Sequence, residues 1–368
     1  MHRIHRIHRL KGGYTVSMRN HVADRPPGMR DVFPQRAGDR RRLENQLLEF
    51  FEAHGYDMVS SGSFEYVDTL LRGRSIHDSE DWIQIFDTTG RAVALRPDMT
   101  PSIARMAAPL LSAGRESVLW CYAEKVYHRT TDPASLSWLS GKAAESTQVG
   151  VECIGRGGRE ADVDILALCR RATDSLGLTE WQMVVSHAMF APAFLVAVGT
   201  PESAVEALLG CLTKGDYVGF RRIAAEAGVS HDVLSWLQAQ NPFSSQEMQV
   251  PDEIDWTASP AGERAVAAWD DLVSLAQELE ERGLADGITF DLTLHRDLTY
   301  YTGIVFEVFA PGVGAPIALG GRYDDLLSYF GVSAPAVGFT FEIERALAAK
   351  DEGVWPTKPN QQSAREVP

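Results

Sequence analysis

Cysteine is scarce, with four residues in 368, at positions 121, 153, 169 and 211. They are too few for a disulfide framework and too far apart for a CxxC metal or redox pair, so inert, buried thiols in a reducing cytoplasm are expected. No apolar run approaches the roughly 18 residues that span a bilayer, which excludes a transmembrane helix. Positive charge is in deficit, with 35 Lys and Arg against 50 Asp and Glu, for a net charge of -15 at pH 7. The deficit is uneven. Residues 1–25 hold Arg3, Arg6, Arg9, Lys11, Arg19 and Arg25 against Asp24, a sum of +5 that leaves -20 on the rest and makes it a poor generic binder of polyanions. The opening MHRIHRIHRL lacks the apolar core and cleavage site of a secretory signal, and the arginines between its histidines would repel a metal cation. A disordered leader is expected there, with Met18 as the natural start. What remains, 45% apolar and 23% charged, is the composition of a globular protein of one large domain or two ordinary ones.

Apolar residues Leu43, Leu47, Phe50 and Phe51 recur at three- and four-residue steps between Arg36 and His54, which predicts an amphipathic helix stopped at Gly55. Tyr56–Ser60 reads as a short strand, and Trp82–Thr88 with Ala92–Leu95 as a hairpin around Thr89-Gly90. Thr100 as N-cap and Pro101 at the first helical position open a helix through Leu111. Strands follow at Val118–Tyr127 and Gln148–Ile154, joined by a polar loop containing Thr130–Ser146, then a helix at Glu160–Leu176 and a strand at Gln182–Ser186. From Met189 to Gly287 the chain is rich in alanine and leucine and reads as helical, broken by the polar stretch Asn241–Pro260. Ile288–Leu294, Tyr300–Ala310 and Ala315–Leu319 read as an antiparallel meander, and Val337–Phe341 as a last strand leading into a helix at Glu342–Lys350.

Four segments have the residue types for chemistry. In Leu95-Arg96-Pro97-Asp98-Met99-Thr100 a carboxylate and a hydroxyl at a strand-to-helix turn can hold an ammonium group, although, taken alone, the capping role of Thr100 and the turn preference of Asp98 explain them better. Strand alternation places Gln148, Gly150 and Glu152 on one face and Val149, Val151 and Cys153 on the other, a floor for a ligand or a solvent-facing strand. The run from His295 to Glu307 sets Arg296, suited to a carboxylate, just before the aromatic pair Tyr300-Tyr301, and a tyrosine hydroxyl can bond an imidazole nitrogen. Leu319-Gly320-Gly321-Arg322-Tyr323-Asp324 reads as a glycine turn and helix start that also permits close backbone approach to a ligand.

In this order, and together with Gly28-Met29-Arg30-Asp31 and Gly338-Phe339-Thr340-Phe341-Glu342-Ile343-Glu344-Arg345, these segments resemble the histidyl-tRNA synthetase superfamily over about residues 26–350. The resemblance implies an α+β fold: a class II aminoacyl-tRNA synthetase-like core, a mainly antiparallel sheet flanked by helices, with a helical insertion. The implied organisation is a leader at 1–25, core at 26–188, helical insertion at 189–287, core again at 288–350 and a flexible tail at 351–368. Within the superfamily the chain is most similar to the regulatory paralogues of ATP phosphoribosyltransferase. Only 23 residues follow Arg345, leaving no room there for an anticodon-binding domain. His128 and Thr130 stand where synthetases place the arginine and glutamate that hold ATP, and Glu342 stands where a glycine admits the nucleotide. Arg345 keeps the position of the nucleotide-stacking arginine. The implied nucleotide site, His128, Thr130, Glu342 and Arg345, is therefore degenerate.

The amino-acid side is complete by the same resemblance: Asp98 and Thr100 toward the ammonium, Gln148 toward ammonium or carboxylate, Glu152 and Tyr301 toward the imidazole, and Arg296 toward the carboxylate. It implies a non-catalytic chain without metal or cofactor, a homodimer within a hetero-oligomer. Its partner would be the short catalytic subunit of ATP phosphoribosyltransferase and its effector histidine, with no tRNA and no membrane. The rival readings are an enzyme that adenylates histidine for a non-tRNA acceptor, a synthetase whose anticodon domain is a separate chain, and a free-standing histidine sensor.

Overall fold

The computed structural model describes residues 26, 28–74, 76–129, 144–178, 180–230, 237, 259–296 and 300–352. In chain order it forms α1 (Pro34–Ala53), β1 (Asp57–Met58), β2 (Phe64–Tyr66), α2 (Val67–Leu70), β3 (Gln84–Phe86), β4 (Ala92–Leu95), α3 (Thr100–Ser112), β5 (Val118–Tyr127) and β6 (Glu145–Ile154). There follow α4 (Gly158–Ser175), β7 (Gln182–His187), α5 (Phe190–Ala197), α6 (Glu202–Lys214), α7 (Tyr217–Glu226), α8 (Pro260–Glu281), β8 (Ile288–Phe290), β9 (Ile304–Phe309), β10 (Ala318–Arg322), β11 (Ala336–Glu342) and α9 (Ile343–Glu352).

The expected helix at 36–54 is α1, with Pro34 at its start and Gly55, at φ 85°, just beyond its end. Leu43, Leu47 and Phe51 fall on one face and are buried, Phe51 edge-on to Phe339 with ring centroids 5.7 Å apart. Burial of each such side chain contributes about 1.5–3 kcal/mol, which holds α1 against the sheet.

Eight strands form the main sheet in the order β1-β5-β6-β11-β10-β9-β7-β8. The six strands from β5 to β7 pair antiparallel, and the two edge strands are parallel to their neighbours. A separate small sheet, β2-β4-β3, contains the expected hairpin. Helices α4, α5 and α8 and the face of the sheet bearing Val149, Val151 and Cys153 share one apolar core. All four cysteines are free and buried, and burial pushes the thiols of Cys121 and Cys153 up to about 12 and 11. Among the described residues no helix is long and apolar enough to cross a membrane.

Three local expectations change. Ile288–Leu294 does not join a meander: β8 pairs parallel with β7, which lies more than 100 residues earlier, and the chain reaches that edge through α5–α8. Glu145 and Ser146 belong to β6 rather than to the polar loop. Gly320, Gly321 and Arg322 are not a turn but part of β10. The missing side chains of the two glycines serve packing, since a Cβ on Gly320 would lie 2.4 Å from the carbonyl oxygen of Gly338 and one on Gly321 2.5 Å from that of Ile304.

Two buried arginines brace this frame. Arg96, wholly buried, donates from Nε to the Lys125 carbonyl at 2.9 Å, from Nη1 to those of Ser61 and Gly62, and from Nη2 to Glu124 at 2.6 Å. It thereby clamps the turn after β4 onto β5. Arg322 reaches Asp162 of α4 at 2.6 Å and Asp324 at 3.0 Å, and Asp324 accepts from the backbone of Ala336 at the start of β11.

Candidate functional site

Sheet register builds the floor of a cavity of about 390 Å³. Strands β6 and β11 place Glu152 opposite Gly338, Gly150 opposite Thr340, and Gln148 opposite Glu342. The middle row continues outward to Tyr122 on β5, and to Leu319 and Glu307 on β10 and β9. Because side chains alternate across a strand, this largely polar grid faces the cavity while Val149, Val151 and Phe341 face the core. Gly338 is required here: a Cβ would lie 1.9 Å from Glu152 Oε2. A Cβ on Gly150 would meet the Tyr122 hydroxyl at 2.6 Å.

The walls come from distant parts of the chain. The start of α3 contributes Asp98 and Thr100, and the segment before β9 contributes His295, Arg296, Tyr300 and Tyr301. Arg74, His128, Tyr323 and Arg345 complete the lining used below. All six residues expected to contact histidine therefore border one cavity, as do His128, Glu342 and Arg345. Thr130 lies outside the described residues.

Thr100 does not serve as an N-cap. Met99 holds that position and the Asp98 carboxylate accepts from the Thr100 backbone N–H at 2.9 Å, a favourable place for negative charge at a helix start. This frees the Thr100 hydroxyl to donate to Glu152 at 2.9 Å. Asp98 also accepts from the Tyr300 hydroxyl at 2.9 Å and pairs with Arg74. Arg296 pairs with Glu307, both largely buried, so its charge is balanced from within the protein.

Glu152 is the most perturbed acid of the site. Its carboxyl is 2% exposed, and burial pushes it up to about 8, against the opposing effect of hydrogen bonds from Tyr323 and Thr100. At neutral pH it is largely protonated, so it can both donate and accept. His128 lines the cavity from its exposed rim, at the end of β5. The cavity thus offers a carboxylate at the head of α3, a guanidinium before β9, and a neutral acid beside tyrosines on the floor. That set suits a zwitterion carrying a side chain with hydrogen-bonding nitrogens.

Reading the sequence missed Arg74, Tyr300 and Tyr323 as wall residues. Tyr300 and Tyr323 stand inside the quoted runs, but only the packing shows that the first hydroxyl serves Asp98 and the second Glu152. Arg74 has no local signal at all.

Six antiparallel strands with parallel edges, carrying an amino-acid-sized cavity between a strand-to-helix turn and the last strands, define a class II aminoacyl-tRNA synthetase-like protein. The chain belongs to the histidyl-tRNA synthetase family, whose model matches residues 28–346. It is 33% identical over 330 residues, 89% of this chain and 81% of the relative, to an ATP phosphoribosyltransferase regulatory subunit of Geobacillus sp. (strain WCH70). A protein of the same description from Moorella thermoacetica is 33% identical over 328 residues, 89% of this chain and 82% of its own length. Among solved structures, a histidine–tRNA ligase subunit from Alicyclobacillus acidocaldarius superposes with a TM-score of 0.80 at 48% identity, covering 92% of this chain and 99% of that one. A Bacillus halodurans structure described as an ATP phosphoribosyltransferase regulatory subunit/histidyl-tRNA synthetase gives 0.76 at 29% identity, covering 90% and 84%.

Proposed function

We propose that this chain is a non-catalytic regulatory subunit of ATP phosphoribosyltransferase that works with the short catalytic subunit in the first step of histidine biosynthesis and conveys feedback inhibition by histidine. The observation that carries it is a contrast within one cavity. Every side chain suited to the amino acid lines it, whereas the side suited to a nucleotide is occupied by Glu342 and His128 in place of a glycine and an arginine. An anionic side chain there opposes a triphosphate. The names of relatives at 33% identity, which the chain matches over more than four-fifths of their length, support the same assignment.

In this reading Asp98 meets the ammonium of histidine, Arg296 its carboxylate, and Glu152 and Tyr301 its imidazole. Regulation needs only differential binding: if histidine prefers the inhibited arrangement of the complex, it shifts the population there, and the catalytic subunit alters histidine affinity by the same factor. The protein would act in the cytoplasm as a homodimer within a hetero-oligomer, without tRNA. The test is reconstitution. Mixed with the short catalytic chain of its own organism, the protein should raise phosphoribosyl transfer and make it sensitive to histidine. Failure both to associate with that chain and to activate it would overturn the proposal.

A second reading, adenylation of histidine for a non-tRNA acceptor, draws on Arg345, which lines the cavity and is held by the Pro316 carbonyl at 2.8 Å. It requires histidine-dependent ATP–pyrophosphate exchange; no exchange at high protein concentration removes it.

A further inference from the structure

Each charge that the cavity offers to a zwitterion already has a counter-charge from the protein: Glu307 for Arg296, and Arg74 for Asp98. The two counter-charges are held differently. Glu307 stands on β9, inside the main sheet. Arg74 stands beyond α2 and outside both sheets, its side chain 4% exposed and its Cζ 5.2 Å from the centre of the Tyr300 ring. It borders both the cavity and an open groove formed with Asp68, Leu71, Arg72, Gly73 and Tyr329. The Asp98 carboxylate is engaged by the Thr100 N–H, the Tyr300 hydroxyl and the Arg74 guanidinium, so an ammonium that approaches it meets a cation already in place. Little water reaches this pair, and solvent therefore screens its charges weakly.

We propose that Arg74 is an internal competitor for the ligand's ammonium: it neutralises the Asp98 carboxylate while the cavity is empty, gives way toward the open groove when an amine binds, and so sets how tightly that amine is held. This rests on the assignment of the cavity to histidine and deepens it, by naming a residue that adjusts affinity rather than one that recognises a ligand group. One carboxylate cannot serve two cations as well as one, because the cations repel each other across it. Binding exchanges an ion pair within the protein for one with the ligand, and the difference between the two sets the affinity. Such an exchange suits an effector site, which must empty when the effector becomes scarce.

The experiment is calorimetry on the full chain with three ligands, namely histidine, histidinol (amine without carboxylate) and imidazolepropionate (carboxylate without amine), each against the wild type, Arg74→Met, Arg74→Gln and Arg74→Lys. The two uncharged variants are expected to bind histidine and histidinol about tenfold more tightly, and imidazolepropionate no more tightly, than wild type, since the repulsion removed acts on the ammonium. Arg74→Lys, which keeps a cation, should stay within about threefold of wild type for both amines. Two uncharged replacements of different polarity keep the test valid if one of them folds poorly. Unchanged or weaker binding of the amines by the uncharged variants overturns the competitor role while leaving the histidine cavity standing. Equal tightening of all three ligands, or the same tightening by Arg74→Lys as by Arg74→Met, does so too. Absence of histidine binding by the wild type and the uncharged variants alike overturns the cavity assignment and this role together.

Discussion

Glu152 sets up a pH dependence that can be calculated and tested. Its carboxyl ordinarily titrates near 4.5 and is pushed up to about 8 in the folded protein, chiefly by burial. The folded state therefore holds a proton that the unfolded chain releases, and its contribution to stability is fully present below about 4.5, declines between 4.5 and 8, and is lost above about 8. A tenfold difference in proton affinity between the folded and unfolded states is worth about 1.36 kcal/mol, so the full window amounts to about 5 kcal/mol, of which about 3 falls between pH 5 and 8. Glu152→Gln is the appropriate perturbation. Like the protonated acid it presents one acceptor and one donor side to Thr100 and Tyr323, and it does not titrate. Urea unfolding of both proteins from pH 5 to 9 should show the variant gaining relative to wild type as pH rises, by about 3 kcal/mol between pH 5 and pH 8. A difference constant to within about 1 kcal/mol over that range would mean that Glu152 is already ionised at neutral pH, and the neutral-acid role in imidazole recognition would fall with it.

Arg96→Ala should cost about 3–5 kcal/mol by denaturant unfolding, because it strands Glu124 and three backbone carbonyls that the guanidinium satisfies. Gly338→Ala should destabilise by about 1–3 kcal/mol and weaken histidine binding in calorimetry, since the added methyl meets Glu152 Oε2 at 1.9 Å and the Val151 carbonyl at 2.5 Å. Arg296→Ala should lower both histidine affinity and the melting temperature, because Glu307 is left buried and uncompensated; Arg296→Ala with Glu307→Gln should recover the melting temperature but not the affinity, and recovery of both would move the ligand carboxylate elsewhere.

Much of the fold was legible because local periodicity reports burial. β5 spans Val118–Tyr127 as expected, and the alternation along β6 separates Gln148 and Glu152 from Val149, Val151 and Cys153. Pairing was less legible. Nothing near Ile288 says that its partner is Met183 across α5–α8, since the hydrogen-bonding groups of any strand are alike and the choice is made by which edge remains open. Gly320 and Gly321 misled for a related reason: a double glycine usually marks a turn, but here it lets neighbouring strands and the Tyr301 ring lie flush on β10. Thr100 carried the right residue type for a cap, and Asp98, two residues earlier, took the capping bond instead.

The order of motifs along the chain was enough by itself to determine the family, most of the helix and strand content and the six residues, Asp98 to Tyr301, that come to border one cavity, because each motif is a local string whose chemistry can be read in place. Tertiary structure alone decided how those groups are matched: that Arg74 and Tyr300 sit on Asp98, that Glu307 balances Arg296, that Glu152 is held neutral and that Gln148 donates to Glu342. These partners lie between 11 and 202 residues apart in sequence, and their effects depend on burial and distance, which no local string contains.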